Sequence, residues 1–112
     1  MIKIGAQLFT VCLAKFRFIE SDQFKIRPVI IVGLPHGERQ ILMVIPITSS
    51  AEPEPIDVTL QNWRDIGLLK PSVARVHRLS AVLQKDLLEE IGSIDKNAQV
   101  NIRVALKELL VL

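Results

Sequence analysis

The sequence predicts an α+β fold, mainly β: a small twisted sheet or partly open barrel closed by a C-terminal helix. Three observations predict it. Short β-branched runs separated by Pro- and Gly-containing turns fill the first two-thirds of the chain. The final stretch, "DKNAQVNIRVALKELLVL", changes to helical spacing. The 112 residues, 49% of them apolar, suffice for one modest core in one domain spanning residues 1–112.

Each element has its own reason. Residues 5–16 read as one alternating strand, with Cys12 a small buried hydrophobe in it. Residues 17–27 form a polar loop or hairpin. "PVIIVG" (28–33) is a continuous β-branched run, which fits a strand covered on both faces. "LPHGER" (34–39) is a hairpin turn, and "ILMVIPIT" (41–48) the returning strand. Pro46 has no N–H to donate, so this strand is expected at an edge or with a bulge there. "SSAEPEP" (49–55) is a loop and "IDVTL" (56–60) a short strand; residues 61–72 are loop or one helical turn. "VARVHRLSAVL" (73–83) is a strand with room for a bend, on which alternation puts Arg75 and His77 on one face and Arg78 on the other. "QKDLLEEIG" (84–92) is expected to be a short helix ended by Gly92. Asp95 is an N-cap candidate for the last helix, which docks through Ile102, Ala105 or Leu106, and Leu109.

Composition excludes several function classes. Fourteen basic against twelve acidic residues leave a net charge of +2, which is no nucleic-acid coat but permits a local basic patch. One Trp, four Phe and no Tyr supply little for a base-stacking sheet. A single cysteine excludes an internal disulfide framework and a Cys-cluster zinc site. His36 and His77 are too far apart in sequence for metal-ligand spacing to be visible. The apolar run 41–47 is far shorter than the ~18 residues of a membrane span. After Lys3, "IGAQLFTVCLA" mimics a signal-peptide core, but Gln7 and Thr10 interrupt it and no A-x-A-like site follows. A cytoplasmic protein is the expectation.

Three stretches in order, and a loop that leads into the first, resemble the MazF/PemK family of toxins from bacterial toxin–antitoxin pairs. "IRPVIIVG" (26–33) is similar to the family's Arg-Pro and apolar strand, and "VIPITS" (44–49) to its Pro-x-Thr-Ser strand end. "IGLLKPSVARVHRLSAVLQKDLLEEIGSI" (66–94) follows its Gly-Leu, small-residue strand start, basic strand, linker and Gly-ended helix. "SDQFKIRP" (21–28) resembles its Ser-Glu-Gln loop. The resemblance implies an SH3-like, partly open barrel with short helices and a C-terminal helix. It implies sequence-selective cleavage of single-stranded mRNA without metal or cofactor, leaving a 2′,3′-cyclic phosphate and a 5′-hydroxyl. It further implies a homodimer and a cognate antitoxin whose acidic, largely disordered tail folds on binding.

The resemblance also directs attention to particular residues. Arg27 matches the catalytic arginine, and a guanidinium that forks onto phosphate oxygens suits transition-state charge. Pro28 holds it extended. Thr48 matches the threonine after the proline strand, with Ser49 as companion; alternatively, Thr48 simply ends a strand and caps the following turn. Asp22, Lys25 and Arg17 are RNA-contact candidates, or plain surface charges. Arg75 matches an arginine carried by the PemK branch of the family and is a further RNA-contact candidate. His77 stands where the family has Asp; histidine is a competent acid or base, or it is structural here. Ala6, after Gly5, replaces another family Asp. Trp63 either stacks on a base or covers apolar surface, with the covering role favoured. Two rival functions remain: a protein-binding toxin that cuts nothing, like CcdB, or an inactive member that only binds antitoxin.

Overall fold

The β-branched run Val29–Ile31 is fully buried because apolar clusters cover both faces of the sheet that contains it. The computed structural model describes residues 5–112. Its strands are β1 (Thr10–Phe16), β2 (Lys25–His36), β3 (Ile41–Thr48), β4 (Asp57–Leu60), β5 (Ser72–Arg75), β6 (Ser80–Leu83) and β7 (Leu87–Ser93). A one-turn helix α1 (Trp63–Ile66) follows β4, and α2 (Lys96–Leu110) ends the chain. The fold is mainly β, antiparallel throughout the described strands, in the order β4-β5-β3-β2-β1-β7, with β6 also on β3.

Alternation assigns the two faces. Val11, Ile30, Ile45 and Ile47 point to the side covered by α2, which contributes Ala98, Ile102 and Ala105. Cys12, Val29, Ile31 and Val44 point to the opposite side, where Phe16 and Leu87 join them. Cys12 is buried as expected, and its burial raises the thiol pKa. The Asp95 carboxylate accepts from the Ala98 N–H at 2.9 Å and caps α2. Of the two alternatives for the docked face, Ala105 is buried and Leu106 is only partly so. The first strand starts later than expected: Phe9, at φ 66°, breaks the extended backbone ahead of Thr10. The part of the leader-like stretch before Gly5 lies outside the described residues.

Three expectations fail, each for a tertiary reason. First, β3 is neither an edge strand nor bulged at Pro46, where its register with β2 is regular. It pairs with β2 on one side; on the other it pairs with β6 at Ile41–Val44 and with β5 at Ile47–Thr48. Pro46 falls in the gap between those two partners, where a missing N–H breaks no ladder on that side. Second, the chain between β5 and β6 is longer than the gap it spans along β3, and the excess coils into a 3₁₀ turn, Val76–Arg78. The turn cancels the alternation that would have aligned Arg75 with His77. Third, residues 84–92 are not a helix. A short 3₁₀ turn, Gln84–Asp86, leads into β7, which pairs with β1. Pairing satisfies the outer N–H and C=O groups of β1, and this outweighs the helix propensity of "DLLEE". Gly92 is therefore not a helix cap: a Cβ there would lie 2.4 Å from the Ile66 carbonyl oxygen, so only glycine lets β7 pass so close to α1.

Candidate functional site

The antiparallel register of β2 and β3 assembles the site. Val29 pairs with Pro46. Continuing that register by two residues brings Arg27 opposite Thr48, both on the Val29–Val44 face of the sheet. Both line a cavity of about 460 Å³ together with Ser49 and Lys70, while Leu68 and Ile91 supply apolar wall. Gly67, in the left-handed region at φ 102°, ends α1 and turns the chain into the Leu68–Lys70 wall. Among the described lining residues there is no His, Asp or Glu.

Thr48 Oγ1 accepts a hydrogen bond from the Ser50 N–H at 3.1 Å. The hydroxyl proton is left to donate into the cavity. Strand end and turn cap are thus compatible with a binding role. Among the described residues no carboxylate lies within ion-pair distance of Arg27. Its guanidinium sits 5.8 Å from the centroid of the Phe18 ring. Arg78 approaches the same ring at 5.6 Å, and Phe16 meets it edge to face at 5.2 Å. Aromatic packing therefore limits where Arg27 can point without neutralising it.

The other two central arginines are committed. Arg78 forks onto Glu54, with Nε–Oε1 and Nη2–Oε2 distances of 2.9 Å, and also pairs with Glu20. Its hydrogen bonds hold the Glu54 and Glu20 carboxyls below the usual range, while the two carboxylates raise the pKa of Arg78. Arg75 is buried. It donates to Asp57 at 3.2 and 3.3 Å, to Glu54 at 3.4 Å and to the Glu52 carbonyl at 2.6 Å. The expected RNA contact at Arg75 needs correction: its guanidinium holds the 49–56 loop rather than lining the cavity. The acid-rich "EPEPID" that follows β3 is the sequence signal for that pairing.

The remaining candidates are dispersed. His77 is exposed on the 3₁₀ turn and does not line the Arg27 cavity. Asp22 and Lys25 are exposed at the start of β2 and in the loop before it. Arg17 stacks 5.5 Å from the Phe24 ring and lines a separate cavity. Lys70, which sequence reasoning passed over, is the second cation in the Arg27 cavity. Its signal was its place in "KPS", just before the strand that pairs with Thr48. No metal-binding group of His, Cys, Asp and Glu occurs among the described residues, and no described helix is long and apolar enough to cross a membrane.

The family described as PemK-like, MazF-like toxin of type II toxin–antitoxin system matches residues 8–110. The chain belongs to this family. No curated protein sequence matches it. Among solved structures, MazF (Form-I) from Deinococcus radiodurans aligns with a TM-score of 0.74 and 16% identity, covering 97% of this chain and 99% of its own. The Mycobacterium tuberculosis toxin MazF-mt6 aligns with a TM-score of 0.71 and 21% identity over 92% of this chain and 97% of its own. An endoribonuclease in complex with its cognate antitoxin, from a mycobacterial species, aligns with a TM-score of 0.72 and 16% identity over 96% and 97%. This MazF-like toxin therefore has the MazF-like fold: a mainly-β, open antiparallel sheet, here of seven strands, with the short helices and C-terminal helix expected from its sequence.

Proposed function

We propose that this MazF-like toxin is a single domain, residues 1–112, that cuts single-stranded mRNA at a short preferred sequence without metal or cofactor. The observation that carries the reading is an arginine with no carboxylate partner opposite a threonine hydroxyl, both lining one cavity. In the reaction the substrate's 2′-oxygen attacks phosphorus, the bond to the 5′-oxygen breaks, and a 2′,3′-cyclic phosphate and a 5′-hydroxyl result. Arg27 forks onto the non-bridging oxygens, where negative charge grows as the phosphorane forms. Thr48 donates its hydroxyl proton to one of them, with Ser49 beside it. Lys70 adds a point charge, and the apolar Leu68 and Ile91 strengthen these interactions by lowering the local dielectric. The 2′-hydroxyl must lose a proton and the 5′-oxygen must gain one. The cavity walls among the described residues offer no carboxylate or imidazole, so water in the cavity takes the 2′-hydroxyl proton and protonates the 5′-oxygen, and we assign to the exposed His77 the exchange of these protons with that water. Arg17, Asp22 and Lys25 contact the flanking strand.

The same reading extends to a cytoplasmic homodimer held by a cognate antitoxin. Solved relatives from Deinococcus radiodurans include MazE–MazF complexes, which supports an antitoxin partner. The antitoxin's acidic tail would compete with phosphate for Arg27 and Lys70. The test is digestion of unstructured RNA by antitoxin-free protein in chelator, with mass analysis of the new ends. Cyclic phosphate termini are expected. Intact RNA in every buffer, with growth arrest retained, would instead favour a protein-binding toxin.

A further inference from the structure

A second cavity, of about 450 Å³, adjoins the Arg27 cavity and shares Thr48, Ser49 and Ser72 with it. The two differ in chemistry. The first has cations, Arg27 and Lys70, and no acid. The second has no charged lining residue among those described; it combines hydroxyls and an amide with one indole, that of Trp63. A cationic cavity suits a phosphate. A neutral, hydrogen-bonding cavity with one aromatic wall suits a base, which has a π-face to stack and an edge to read.

Resting on the RNA-cleavage reading above, we propose that the Trp63 cavity is a nucleobase subsite for the nucleotide adjoining the cleaved phosphate. The base stacks on the half-buried indole. Thr59 and Gln61, whose side chains have no hydrogen-bond partner among the described residues, read its edge. An amide both donates and accepts, so Gln61 can match a base edge in either sense. The Arg64 guanidinium, 4.9 Å from the Trp63 ring centroid, puts a cation near the next phosphate of the strand. The shared residues make the two cavities neighbours, so a strand with its phosphate at Arg27 can pass over Thr48 and Ser49 to place its next base in the second cavity.

The chain has a single tryptophan, so its fluorescence reports this site alone. The protein is titrated with a single-stranded 2′-O-methyl RNA, which cannot attack its own backbone, and cleavage of the unmodified RNA is measured separately. Saturable quenching of Trp63 emission is expected. Trp63→Leu should weaken oligonucleotide binding about 5- to 150-fold, the range for one stacked base, and Trp63→Phe should restore most of it. Replacing the adjoining nucleotide by an abasic one should cost the wild type a similar factor and Trp63→Leu almost nothing. Cleavage with no quenching and equal KM in Trp63→Leu overturns the subsite and leaves the nuclease standing. Quenching with the abasic effect but no cleavage upholds the base site and removes the nuclease. Absence of any RNA binding overturns both.

Discussion

Arg27 stands opposite Thr48 across the antiparallel pair β2 and β3, two residues along each strand from the Val29–Pro46 pair. The relationship depends on register. A slip of one residue would turn Thr48 to the α2 face and take its hydroxyl away from Arg27. The buried run Val29–Ile31 opposes such a slip, since it would send Val44 to the wrong cluster.

Removing the guanidinium should remove transition-state stabilisation. Arg27→Ala is expected to lower kcat about 10²- to 10³-fold. Thr48→Val, which keeps shape and deletes the hydroxyl, should cost about 10- to 100-fold, as for a hydrogen bond to a charged group. Single-turnover cleavage of a labelled oligonucleotide measures both, and a wild-type rate in Arg27→Ala would end the proposed mechanism.

Arg75 should behave as a structural residue. Arg75→Ala leaves the mostly buried Asp57 without its partner, at an expected cost of about 2–4 kcal/mol in urea unfolding. At temperatures where the variant is folded, kcat/KM should stay near wild type. A large loss of RNA affinity at unchanged stability would return Arg75 to the phosphate contacts.

Gly92→Ala forces a methyl against the Ile66 carbonyl oxygen, which is backbone and cannot swing aside. Either β7 or α1 must move, at about 2 kcal/mol or more. Thermal unfolding should show Tm lower by about 10 °C. An unshifted Tm would show that β7 does not pass so close to α1.

The carboxyl of Glu54 is held below its usual range chiefly by its hydrogen bonds to Arg78. A depressed folded-state pKa gives stability that is full above the ordinary carboxylate range and lost as pH falls through the folded value. Wild type should therefore exceed Glu54→Gln in urea midpoint at pH 7, with the gap closing from about pH 4 downward. A gap that stays constant to pH 3 would mean that the charge of Glu54 contributes nothing.

His77 is tested by the pH dependence of kcat. With His77 as the proton-transfer group, His77→Asn should remove one limb of the pH profile. An unchanged profile would take His77 out of the mechanism and leave water to carry the proton.

The sequence alone determined what depends on local chemistry and periodicity. The Asp95 cap, the buried β-branched run and the face of α2 follow from residue type and spacing, and "RPV" with "PIT" pointed to Arg27 and Thr48. Tertiary structure decided what depends on partners distant in the chain. Residues 87–93 became a strand because β1 had an unpaired edge, and Pro46 sits mid-sheet because β3 changes partners there. Arg75 was drawn to Glu54 and Asp57 and away from the cavity, while Lys70 was brought into it by the turn at Gly67. Side-chain pairing across 18 or more residues leaves no periodic trace, so only the folded chain reveals which arginine remains free to meet a phosphate.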